Sequence, residues 1–105
     1  MFIRNSWYVG AWSTEIESGR PFGRTLLGEP VVMFRIGDGK IVALEGRCAH
    51  RRMPLVNGKV IGDKLVCCYH GLTYDSTGKC VAIPGESKVP SNIRLRSYQI
   101  GRAHV

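Results

Sequence analysis

The chain has 105 residues, 44% of them hydrophobic, and carries 15 Lys and Arg against 8 Asp and Glu, a formal net charge of +7. That length supports one domain with a modest core. It holds no apolar run near the ~18 residues of a membrane span, and Trp7, Trp12, Glu15 and Glu17 break the stretch where a secretory leader needs an apolar core. The chain is therefore expected to be cytoplasmic, with no membrane partner. Its basic residues are scattered, Arg51-Arg52 being the longest run, so the stripe or motif of a nucleic-acid binder is missing and no nucleic-acid partner is expected.

In chain order, a helical turn is expected only at Ser13–Ser18, where Ser13 is placed to cap it. The stretch EPVVMFRIGDGKIVALEG then predicts strands at Val31–Ile36 and Lys40–Glu45 around a hairpin turn at Gly37–Lys40. Further turns are expected at Asn57-Gly58 and Gly62-Asp63. Beyond them come a strand at Leu72–Tyr74, a turn at Asp75–Gly78 and a strand at Lys79–Ile83, stopped by Pro84-Gly85. Short strands spaced by turn residues predict an all-β antiparallel sandwich or small barrel. Nothing in the chain repeats.

The chemistry lies in Cys48-x-His50, a gap of sixteen residues from Arg51 to Val66, and Cys67-x-x-His70. Both pairs fall in loops at strand ends. Two thiolates with two neutral imidazoles suit zinc, or a [2Fe–2S] cluster with both Cys on one iron and both His on the other. Zinc fingers group like with like and carry two His on a helix, whereas here each loop supplies one of each and no helical period intervenes. Adjacent Cys67 and Cys68 suit a mutual disulfide poorly, which favours metal ligation. Taking Cys68 in place of Cys67 would make the second loop Cys-x-His like the first. Cys80 reads as a buried small hydrophobe. Trp7 and Tyr8 suit core packing or an interface equally. Arg47, Arg51 and Arg52, around the first pair, offer a docking face for an acidic partner.

This constellation, with CAHRRMPL and CCYHGLTYD around it, resembles the Rieske [2Fe–2S] domain. The resemblance implies an all-β Rieske-type sandwich with two cluster-binding hairpin loops. It also implies a [2Fe–2S] cofactor, with Cys48 and Cys67 on the buried iron and His50 and His70 on the outer one. It favours Cys67 over Cys68. Neutral imidazoles leave the cluster less negative, which is why Rieske potentials lie at about −150 to +300 mV against about −400 mV for plant-type clusters. Gly71 would let the backbone approach closely. Tyr69 is placed to donate its hydroxyl to a ligand sulfur or, equally, to fill the core. In the quinol-oxidising branch of the family an extra Cys in each loop forms a disulfide. Met53 and Tyr69 stand at those positions here, so that bridge is not expected.

The opening FIRNSWYVGAWSTEI and the later KCVAIPGE resemble oxygenase components acting on aromatic substrates, the vanillate-demethylase-like group in particular. Ala49 for Pro and Gly10 in the opening depart from that pattern without touching a ligand. Such oxygenases also use a mononuclear non-haem Fe(II), held by two His and a carboxylate. The chain has three His, and with His50 and His70 on the cluster only His104 is left. No catalytic residue is expected. The implied role is relay of electrons from a reductase or ferredoxin donor to the mononuclear iron of a catalytic domain, that of a neighbouring subunit. The alternative is a stand-alone Rieske ferredoxin. Residues 1–99 are read as the Rieske domain. Residues 100–105, IGRAHV, are read as a non-native tail, because they match the in-frame translation of a sequencing adapter.

Overall fold

A computed structural model describes residues 15–37, 39–49, 53–68, 71–85, 87–90 and 92–100. Its strands are β1 Phe22–Leu26, β2 Glu29–Arg35, β3 Ile41–Glu45, β4 Lys59–Ile61, β5 Lys64–Val66, β6 Thr73–Tyr74, β7 Cys80–Ala82 and β8 Ser97–Tyr98. They form two antiparallel four-stranded sheets, ordered β1-β2-β3-β8 and β4-β5-β6-β7. The expected all-β architecture is the observed one. The strands expected around Gly37–Lys40 are β2 and β3, displaced by one or two residues at their ends.

Strands β1, β4 and β8 are not among the expected ones; β4 is only the stretch between two expected turns. β1 is an edge strand whose middle three residues are exposed, so it lacks the apolar alternation that announces a half-buried strand. It joins β2 through Leu27 and Gly28, both at positive φ (54° and 76°), the backbone that a two-residue hairpin requires. Leucine adopts it at a cost, so the turn carries only half of its usual sequence signal. β8 is two residues long and exists through its pairing with β3 at Ala43↔Tyr98 and Leu44↔Ser97. Of the expected helical turn, Ser13 and Thr14 lie outside the described residues. Glu15 is in a 3-10 conformation and Ser18 instead bridges Arg35, so the helical conformation does not extend past Glu15. The turn expected at Asn57-Gly58 is the end of a 3-10 turn, Leu55–Asn57, closed by Gly58 N–H on the Leu55 carbonyl at 3.0 Å.

The main core lies between the sheets. Val32, Phe34, Val42 and Leu44 face Leu65, Tyr74 and Cys80, with Leu55, Leu72, Leu95, Cys48 and Cys67 in the same cluster. β2 is buried on both faces. Its alternate residues Val31 and Met33 join Ala43 and Ile16 in a second cluster on the outer side of the first sheet. Arg35 fastens the chain there, donating from Nε to the Ile16 carbonyl at 2.7 Å. Where the two hairpin turns meet, Gly37 N–H donates to Asp63 Oδ1 at 2.7 Å. The sheets are thus joined by both a core and a turn contact, a rigid base for the loops at their other end.

Candidate metal centre

The two Cys–His loops are built alike. The first hangs from the antiparallel bridge Arg47↔Pro54 and the second from the β5–β6 pair Val66↔Thr73. Each spans six residues, Cys48–Met53 and Cys67–Leu72. Each is closed by its first residue: Cys48 N–H donates to the Met53 carbonyl and Cys67 N–H to the Leu72 carbonyl, both at 2.8 Å. Both cysteines therefore occupy the same position in matching loops. Both side chains are buried, at 1% and 3% exposure, while Cys68 is exposed. None of the four cysteines is in a disulfide.

That contrast follows from strand parity. Leu65 faces the core, so the alternation continued past β5 turns Cys67 inward and Cys68 outward. Cys80 is buried as its reading expected. Burial pushes its thiol pKa up, so it is an inert neutral group rather than a nucleophile.

The loops are steadied by different means. Tyr74 of β6 is fully buried, and its hydroxyl lies 3.1 Å from Cys48 Sγ while accepting the Ala49 N–H, also at 3.1 Å. Because the amide can only donate, the phenol proton is available to the sulfur. Burial pushes the Tyr74 pKa well above the ordinary tyrosine value, and the hydrogen bond with Cys48 adds to the shift, so the phenol stays a donor at all ordinary pH. The second loop turns at Gly71 with φ 70°, and a Cβ there would stand 3.2 Å from Pro84 Cγ. Pro84-Gly85, read only as a strand stop, is in this way a wall of the second loop.

His50, His70, Tyr69, Arg51, Arg52 and His104 lie outside the described residues. Among the described residues no three His, Cys, Asp or Glu side chains stand together as a metal site. What is present fits an iron–sulfur group: two buried thiols at matching loop positions, with a neutral phenol donor aimed at one sulfur. Hydrogen bonds to ligand sulfur are a main means of tuning such clusters. Tyr74 is not singled out in the sequence, where Tyr69 is the tyrosine that sits between Cys67 and His70. The available signal was Tyr74's place on the inward row of the strand that leaves the second loop. Among the described residues no helix is long and apolar enough to cross a membrane.

Comparison with known proteins places this arrangement. Residues 6–98 match the Rieske [2Fe-2S] domain family. The chain is 50% identical over 100 residues to the toluene-4-sulfonate monooxygenase system iron-sulfur subunit of Comamonas testosteroni, covering 95% of this chain and 29% of that protein. It is 39% identical over 100 residues to the vanillate O-demethylase oxygenase subunit of a Pseudomonas species, covering 95% and 28%. The crystal structure of dicamba monooxygenase superposes with a TM-score of 0.87 at 40% identity, over 93% of this chain and 31% of that one. The chain thus spans about 30% of the length of the relatives it matches.

Proposed function

From a chain that belongs to the Rieske [2Fe–2S] domain family, we propose the electron-transfer domain of a Rieske non-haem iron oxygenase component. In this reading Cys48 and Cys67 hold the inner iron and His50 and His70 the outer one. When bound, the cluster supplies one-electron storage at the mild potentials of mixed Cys–His ligation. The chain's own residues do the rest. The paired Cys N–H closures hold both thiols at one depth. Tyr74 donates to Cys48 Sγ and anchors Ala49, while Pro84 and Gly71 shape the wall of the second loop.

The partners follow from the same reading. They are a reductase or ferredoxin donor, and a catalytic domain whose mononuclear Fe(II) accepts the electrons and lies in a neighbouring subunit. Relatives named for toluene-4-sulfonate and vanillate, both aromatic, point to an aromatic substrate and a catabolic role in the cytoplasm. The observation that carries the reading is the pair of matching six-residue loops, each with a buried Cys at its head.

The test is anaerobic reconstitution with iron and sulfide followed by dithionite. A Rieske-type electron paramagnetic resonance signal is expected. A colourless, signal-free protein with stoichiometric zinc would overturn the proposal.

A further inference from the structure

The function proposed above needs both an electron donor and an electron acceptor, and a donor that docks where the acceptor sits would block it. A second approach to the centre is needed, and the two sheets differ in what they offer. The outer side of the first sheet is closed, with Val31, Met33, Ala43 and Ile16 all under 7% exposed. The outer side of the second is open.

Strand register sorts the second sheet into rows. Val60, Leu65, Tyr74 and Cys80 form one row toward the core, while Lys59, Val66, Thr73 and Ala82 form the next row and face outward with Ile61 and Lys64. None of the outward six is buried, and Ile61 is 62% exposed. The face ends at Val66 and Thr73, the two residues from which the Cys67 loop hangs, so it leads directly to the backbone of one thiol ligand. Its only charges are the two lysines, and neither makes an ion pair among the described residues. The carboxylates across the groove from Lys59, those of Glu15 and Glu17, are held by Arg24 and Arg20. Lysines guard many sheet edges, but here they flank an apolar strip, the arrangement of an interface with a dry centre and a charged rim.

We propose that the outer face of β4–β7, centred on Ile61 between Lys59 and Lys64, docks an acidic electron-donor protein. The inference rests on the Rieske reading. Charge complementarity selects the occupant: two lysines with no ion pair among the described residues, on a chain of net charge +7, attract an acidic surface and speed its encounter. One relative is named as the iron-sulfur subunit of a monooxygenase system, and the function proposed above assigns such a subunit a separate electron donor. The step is a single-electron transfer. The reduced donor loses one electron, the oxidised cluster gains it, and no bond is made or broken.

The test uses the 105-residue chain loaded anaerobically with its cluster. The probe is a reduced acidic plant-type [2Fe–2S] ferredoxin, whose potential of about −400 mV makes the transfer downhill. Stopped-flow rates are read at low and high salt. Lys59→Glu with Lys64→Glu should slow the second-order rate about tenfold at low salt and flatten its salt dependence. Ile61→Asp should slow it at both salts. Arg96→Glu, just before β8 at the edge of the first sheet, should leave it unchanged, and all variants should keep the wild-type paramagnetic signal and midpoint potential.

Equal rates in all variants, or equal slowing by Arg96→Glu, would overturn the docking face while leaving the Rieske reading intact. A changed signal or potential in the lysine variants would also overturn it, by placing the effect in the cluster. So would a wild-type dimer that Ile61→Asp dissolves, since the face would then belong to a second copy. A wild-type chain with no Rieske signal would instead remove the reading on which the inference rests.

Discussion

The two Cys–His loops have one length and one closing hydrogen bond, yet they are held in opposite ways. The second is supported by its own hairpin and by the segment that follows β7. It hangs from true strands, turns at Gly71 and leans on Pro84. The first hangs from an isolated bridge at Arg47↔Pro54, and its Cys48 and Ala49 are fastened by a side chain belonging to the other loop's strand, Tyr74. A loop without a ladder behind it needs a tertiary anchor. Here the anchor also lies 3.1 Å from Cys48 Sγ, so in the proposed function the position and the electronic tuning of the first loop both depend on one hydroxyl.

The strongest test of the likeness is to remove each loop's thiol. Cys48→Ser and Cys67→Ser should each abolish the visible absorbance and the paramagnetic signal, whereas Cys68→Ser should retain both. Loss of the cluster in the Cys68 variant would show that the loops are not equivalent. Next in size, His50→Cys or His70→Cys should lower the midpoint potential toward the roughly −400 mV of all-thiolate clusters, as redox titration would show. An unchanged potential in a variant that keeps its cluster would contradict the ligand assignment.

The difference between the loops is tested by smaller changes. Tyr74→Phe removes a hydrogen bond to a charged sulfur worth about 1–2 kcal/mol, or on the order of 40–90 mV at 59 mV per tenfold for one electron. The potential should fall, because the lost donor favours the more negative, reduced state. Gly71→Ala should destabilise the second loop by about 1–2 kcal/mol in chemical denaturation, the cost of a left-handed backbone for an L side chain, and leave the potential near wild type. A potential shift in the alanine variant and none in the phenylalanine variant would reverse the proposed division of roles.

The smallest effect is expected at the turn after β6. Burial by itself raises the Asp75 pKa, but hydrogen bonds from Thr77 Oγ1, Thr77 N–H and Lys79 N–H, with the Lys79 charge, bring it below the ordinary value. A depressed carboxyl contributes stability that is present above its unfolded pKa and lost as pH falls through the folded one. Asp75→Asn should therefore flatten the loss of stability with acid below about pH 4, as urea titrations across that range would show.

Much of the fold was legible where residues report their own surroundings. The run PVVMF marked β2 because burial on both faces needs apolar residues in succession, and the Gly37–Lys40 turn marked the hairpin. β1 was not legible, since its outward residues carry no alternation and its Leu27-Gly28 turn uses leucine where glycine or asparagine would announce the geometry. At the candidate site, parity along Leu65, Val66, Cys67 and Cys68 already contained the choice between the two thiols. The family resemblance points to the same thiol.

The sequence by itself determined the candidate donor set, two Cys and two His in alternating order, and that no helical period lies between the two pairs. Ligand identity and spacing are properties of the covalent chain, and so is the alternation that turns one cysteine in and the next one out. Only the tertiary structure decided that Tyr74 reaches a sulfur, that Pro84 walls the second loop, and that, among the described residues, one sheet is covered outside while the other is open. Each of these joins residues far apart in the chain, Tyr74 to Cys48, Pro84 to Gly71 and Ile16 to Arg35. Such contacts exist only after two sheets have packed on a shared core, and local propensity carries no record of them.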